Sequence, residues 1–148
     1  MSPMNRLSEL KEKKKLDNNG FSLVELIIVI AIMAVLIGVL APQYLKYVEK
    51  SRRSADLDLV DSMVSAVEIY SADPDHAIVA GTLSCDSDGK ITASSQVTAA
   101  LSDAGITLTS TTATKSSTLK GWTITFASTG ISFGSTTGDT ELKKGLGR

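Results

Sequence analysis

Glu25 is a carboxylate near the start of an apolar run, four residues after Phe21 in the stretch Gly20-Phe21-Ser22-Leu23-Val24-Glu25. An acid at the centre of a membrane span costs about 2.5–3.5 kcal/mol on insertion scales, and less near an end where it can snorkel. The charge therefore asks for a partner. Other residues with chemical capacity are fewer. Asp86-Ser87-Asp88-Gly89 has the opening of a calcium loop, yet no downstream acid stands at EF-hand spacing, and Asp-Gly is a common turn. His76 is the only histidine, and no serine or cysteine has the setting of a nucleophile with its base. Gly134 to Thr140 reads Gly-Ser-Thr-Thr-Gly-Asp-Thr, without the lysine of a phosphate-binding loop. An enzyme reading finds no support, and no cofactor or metal is expected.

The element that must position Glu25 is the run from Phe21 to Ala41, broken only by Ser22, Glu25 and Gly38. At about 1.5 Å per residue, a helix of that length spans roughly 31 Å, matching a hydrocarbon core of about 30 Å. Gly38 and Pro42 stand four apart. Glycine lowers helix propensity by about 1 kcal/mol, and proline removes the N–H that the Gly38 carbonyl would bond. The pair reads either as a kink or as the end of the span.

Ahead of the span, Arg6, Lys11, Lys13, Lys14 and Lys15 outnumber Glu9, Glu12 and Asp17. This is a basic leader, but the apolar core is too long for a secretory signal and has no small-residue cleavage site at its end. Four basic residues, Lys46, Lys50, Arg52 and Arg53, follow the span, so charge alone orients it weakly. The net charge of −1 gives no sign of nucleic-acid binding. Cys85 is the only cysteine, which excludes an intrachain disulfide and leaves a buried thiol, a free thiol or an intermolecular link.

Gly20 directly before Phe21, Glu25 four residues on, about twenty apolar residues and Pro42 near their end together resemble the type IV pilin and pseudopilin signature. The resemblance covers roughly residues 15 to 55. It implies that a prepilin peptidase cuts between Gly20 and Phe21 and methylates the new Phe21 amine. Translation from Met1 or from Met4 gives the same mature chain. The freed amine and Glu25 then lie one helical turn apart, and unit charges at 4 Å attract by about 4 kcal/mol at an effective dielectric of 20. The amine can be the chain's own or a neighbour's; the resemblance favours the neighbour, with Glu25 guiding an incoming subunit into the filament.

Four segments follow: residues 1–20, the cleaved leader; 21–42, the transmembrane and filament-core helix; 43–73, an amphipathic continuation; and 74–148, an antiparallel β-sheet domain. Leu45, Val48, Ala55, Leu59, Met63, Val67 and Tyr70 recur at helical spacing as a core-seeking face, and Asp73-Pro74-Asp75 is the stop. Glu49, Lys50, Arg52, Arg53, Asp56 and Asp58 read as a solvated charged face. Ser94 to Gly105 predicts a short helix. Ile106–Thr109, Trp122–Phe126 and Ile131–Phe133 alternate as strands, with Trp122, Ile124 and Phe126 facing a core. The fold class is α+β, a long N-terminal helix packed on a small antiparallel sheet.

The resemblance implies a structural subunit of a type IV pilus serving adhesion, motility or DNA uptake, or a pseudopilin of a type II secretion or competence system. It implies as partners further copies of the chain, the prepilin peptidase, an assembly ATPase, a platform protein and the membrane. The chain would sit in the inner membrane before assembly and on the cell surface after it. Since many pilins tie their C-terminal region with a disulfide, a chain with one cysteine needs another restraint there.

Overall fold

The computed structural model describes residues 20–76 and 79–148. The basic cluster of the leader and the Met1 or Met4 start lie outside the described residues. The chain forms two compact units, one ending at Gln43 and the other running Tyr44–Arg148. Helix α1, Leu23–Ala72, begins in the first and ends in the second, and carries Pro42 within it.

In the second unit, α1 is followed by β1 (Gly81–Cys85), β2 (Ile91–Ala93), α2 (Ser95–Asp103), β3 (Trp122–Ala127), β4 (Gly130–Phe133) and α3 (Thr137–Leu146). The strands pair antiparallel throughout, in the order β2-β1-β3-β4. Leu83 stands opposite Ile124, and Cys85 opposite Trp122. Because side chains alternate across a strand, Leu83, Cys85, Trp122, Ile124 and Phe126 all reach one face and are buried there. That face meets Val60, Met63, Val64 and Val67 of α1, and Val97, Ala100 and Leu101 of α2, in one apolar cluster. The fold is α+β and pilin-like, a long apolar N-terminal helix with a small antiparallel sheet.

Several expectations are corrected. The buried seam of α1 runs through Asp56, Val60, Met63, Val64, Ala66 and Val67. Met63 and Val67 belong to the expected face, but Leu45 and Ala55 are exposed. Ile106–Thr109 is not a strand. The Ile106 N–H donates to the Leu101 carbonyl at 2.8 Å and so serves the end of α2, while the Thr109 carbonyl accepts from the Thr112 N–H at 3.0 Å in a turn. The β1–β2 hairpin and α3 were not expected. The hairpin turns at Asp86-Ser87-Asp88-Gly89, where Asp86 Oδ1 accepts from the N–H groups of Asp88 (2.9 Å) and Lys90 (2.8 Å). Gly89 takes φ of 91°, a region a side chain disfavours. The acidic stretch that opens like a calcium loop is thus a turn whose first carboxylate is spent on backbone.

Helix α3 is fixed by its N-terminal turn. Thr136 and Asp139 form a capping box, each side chain accepting from the other's N–H, at 3.2 Å to Thr136 Oγ1 and 2.8 Å to Asp139 Oδ2. Asp139 Oδ1 also accepts from the Thr123 N–H of β3 at 2.6 Å, which ties helix to sheet. Gly147 ends α3 in the left-handed conformation, and the Arg148 guanidinium pairs with Glu68 of α1 at 2.6 Å. These contacts supply the C-terminal restraint that a disulfide gives elsewhere.

Candidate assembly site

The first turn of α1 settles how Glu25 is held in this chain. Glu25 Oε2 accepts from the Ser22 N–H at 2.8 Å, and Ser22 Oγ accepts from the Val24 N–H at 3.3 Å. Serine before the helix and glutamate three residues on satisfy two helix-end donors, a capping-box pattern of Ser-x-x-Glu. The box starts the helix at Leu23, not at Phe21, and leaves Gly20 and Phe21 outside it, with Phe21 93% exposed. The signal was legible in Ser22-Leu23-Val24-Glu25, but the apolar setting drew attention to the charge rather than to the cap. Glu25 thus already stabilises the helix N-terminus, where a negative charge is favoured by the aligned peptide dipoles.

After that turn the apolar run is exposed among the described residues. Fifteen large apolar residues between Phe21 and Leu40 are each at least half exposed. Fully burying each is worth about 1.5–3 kcal/mol, so roughly 20 kcal/mol or more awaits an apolar environment. The helix is long and apolar enough to cross a membrane by length and composition. Gly38 has open space around it, and Pro42 leaves the Gly38 carbonyl without its intrahelical donor.

The charged stretch after the span is only partly the solvated face expected. Asp56 is 3% exposed, and its Oδ2 accepts from the N–H groups of Lys115 (2.8 Å) and Ser116 (2.6 Å). Glu49 Oε1 accepts from Ser116 Oγ, the Ser117 N–H and Ser117 Oγ at 2.7–2.9 Å. Arg53 pairs with Glu141 of α3 at 2.7 Å. Two acids about two helical turns apart on α1 therefore gather the long connection before β3. That connection in turn covers the outer edge of β2, where the Ile91 N–H donates to Thr112 and the Thr114 N–H to Gly89. An exposed strand edge invites unwanted pairing, and this one is closed. No spacing rule could have paired positions 59 to 68 residues apart.

Hydrogen bonds from the Ser116 and Ser117 hydroxyls and the Ser117 N–H lower the Glu49 pKa below its ordinary value. The Arg148 guanidinium does the same to Glu68. Burial alone would raise Asp139, but donors from Thr123 and Thr136 outweigh it and hold it low. Folded values below unfolded ones mean stability that is complete above the ordinary carboxylate pKa and lost as pH falls through the folded values. Melting of the detergent-solubilised chain is expected to hold steady near neutrality and to fall as pH drops below about 4.5. A melting temperature unchanged down to pH 3 would remove these three carboxylates as contributors.

Cys85 is buried against Thr114, 3.5 Å from its hydroxyl, and burial raises its pKa, so the thiol is a core side chain. His76 stacks on Tyr70 with ring centroids 4.0 Å apart.

Residues 15–41 match the family described as the prokaryotic N-terminal methylation motif. The chain is 37% identical over 93 residues to the type IV major fimbrial protein FimA of Dichelobacter nodosus, a match covering 60% of each chain. The chain thus spans about 60% of the curated relative's length. No solved structure matches. The motif lies across Gly20, Phe21 and Glu25, and together with the similarity to a major fimbrial protein it supports the type IV pilin family.

Proposed function

We propose that this chain is a structural subunit of a type IV pilus, polymerised through the apolar half of α1 after removal of residues 1–20. The observation that carries this reading is a methylation motif set on a helix whose first half, from Leu23 to Leu40, keeps its large apolar side chains exposed among the described residues. A prepilin peptidase cuts at Gly20-Phe21 and methylates the Phe21 amine. The chain waits in the inner membrane, and an assembly ATPase and platform protein extract it into a filament displayed on the cell surface. There it serves adhesion, motility or DNA uptake. In the filament, Glu25 exchanges its own Ser22 N–H for the Phe21 amine of a neighbour, a charged donor in place of a neutral one. Gly38 and Pro42 form the weak turn at which the helix kinks or unwinds as copies pack.

Electron microscopy of surface filaments, with mass spectrometry of their N-termini, tests this. Long filaments whose subunits begin with methylated Phe21 are the expected result; a membrane-bound monomer still beginning at Met1 would overturn it, and short intracellular-envelope filaments would favour a pseudopilin. Gly20→Val supplies the matching variant. A Cβ at Gly20 meets nothing within 4 Å, so the fold is undisturbed and any loss of processing belongs to recognition of the cut. The expected product is a full-length chain that keeps its leader and forms no filament, read by its mass; normal processing would reject Gly20-Phe21 as the cleaved bond.

A further inference from the structure

Beyond Ala41, α1 carries exposed residues that neither the core nor the proposed processing uses. Tyr44 and Tyr47 are 67% and 71% exposed, and Lys46, Lys50 and Arg52 are exposed beside them. The acids nearest these cations turn their carboxylates toward the connection before β3. Glu49 is taken by Ser116 and Ser117, and Asp56 by the Lys115 and Ser116 N–H groups. Arg53 alone of the four basic residues is paired, with Glu141; among the described residues Lys46, Lys50 and Arg52 form no ion pair. Exposed cations and tyrosines therefore follow directly after the apolar run, with Glu49 as the anion that acts on Arg52.

We infer that residues Tyr44 to Arg52 bind the headgroups of anionic phospholipid on the side of the bilayer that carries the globular unit. This rests on the membrane-anchored stage of the function proposed above. The headgroup layer adds about 5–8 Å beyond the hydrocarbon on each side, and a helix rises about 1.5 Å per residue. Tyr44 and Tyr47, three and six residues after Ala41, fall within or at the edge of that layer, where a ring with a hydroxyl tip has its apolar body in lipid and its polar end in water. Lys46 and Lys50 are four residues apart, hence on one row of the helix, and their flexible stems reach phosphate. A second copy of this chain would present the same three cations, and like charges disfavour it as the occupant. A phosphodiester surface answers both the rings and the charge.

The test uses the processed full chain beginning at Phe21, reconstituted in vesicles of phosphatidylcholine and phosphatidylglycerol, with spin-labelled lipids reporting which headgroup surrounds the protein. One cation fully engaged at an anionic surface is worth about five-fold in association. A preference for phosphatidylglycerol of about that size or more is expected, falling toward none in Lys46→Gln/Lys50→Gln/Arg52→Gln and in high salt, and retained in Lys46→Arg/Lys50→Arg. Equal association of both lipids with the inserted chain would overturn the inference while leaving membrane anchoring intact. So would an unchanged preference in the triple glutamine variant accompanied by loss of filaments, which would assign the surface to neighbouring copies. Failure of the chain to enter vesicles at all would overturn the anchored reading along with it.

Discussion

Glu25→Ala is expected to leave a processed, membrane-bound chain that forms no filaments, as counted by electron microscopy of cells or sheared fractions. Removing the acid lightens insertion, since the span loses its one charged side chain. The helix loses the partner of its N-cap, about 1 kcal/mol, which frays a turn but does not unfold fifty residues of helix. Assembly loses far more. Each docking event would bring an amine into an apolar packing with no counter-charge, forfeiting an attraction of about 4 kcal/mol at an effective dielectric of 20, close to a thousand-fold per contact. Glu25→Gln separates the cap that the geometry shows from the proposed pairing with a neighbour's amine. Glutamine can accept from the Ser22 N–H and keep the capping box, but it carries no charge. Filaments are expected to be absent with Gln as with Ala. If the Gln variant polymerised normally, the requirement would be the cap, and the charge-pairing role would fall.

Asp139→Ala is expected to destabilise the second unit by about 3–5 kcal/mol. The carboxylate is 1% exposed and takes donors from the Thr123 N–H, the Thr136 N–H and the Thr136 hydroxyl, all at 2.6–2.8 Å. Alanine leaves the two backbone donors without their acceptor, each costing about 1–3 kcal/mol, and so halves the capping box of α3, whose Thr136 hydroxyl still accepts from the residue-139 N–H. Small domains hold only about 5–15 kcal/mol in total, so the loss takes a large share. A melting temperature lower by roughly 15 to 30 °C follows for a unit of this size. Detachment of α3 would carry with it the Glu141 partner of Arg53 and the Arg148 partner of Glu68. Asp139→Asn, which keeps one acceptor oxygen for Thr123 or Thr136, is expected to fall between the two. A variant with Ala that melts within a few degrees of the unaltered chain would show that α3 is held mainly by Leu142 and its apolar neighbours.

The two acids illustrate different degrees of legibility. Glu25 announces itself because a charge in twenty apolar residues is conspicuous in one dimension. Asp139 lay in Gly134 to Thr140, a stretch weighed only as a phosphate-binding loop, although the Thr136-x-x-Asp139 spacing is that of a capping box. Leu142 is the one fully buried apolar side chain of α3, too little for an apolar stripe to register. The β1–β2 hairpin was missed for a related reason. Strands of five and three residues, with Ser84 and Thr92 bonded side chain to side chain on the outer face, give no long alternation. Ile106–Thr109 erred in the other direction: it alternates correctly for a strand, but the edge beside β2 is already taken, with Lys90 paired to Ala113 there.

By itself the sequence determined the methylation motif around Gly20-Phe21, the apolar run to Ala41, the helix reaching Ala72, the apolar faces of Trp122–Phe126 and Ile131–Phe133, and the α+β class. Each of these is written in contiguous residues, where composition and a period of two or 3.6 suffice. Only the tertiary structure decided that Ser22 shares Glu25, that the buried seam passes through Asp56, and that Glu49 and Asp56 hold a loop 59 to 68 residues away. It decided as well that Lys46, Lys50 and Arg52 form no ion pair among the described residues. A carboxylate has no period and no fixed partner distance along the chain; whether it is solvated, capping or clamping depends on which donors folding brings within 3 Å of it.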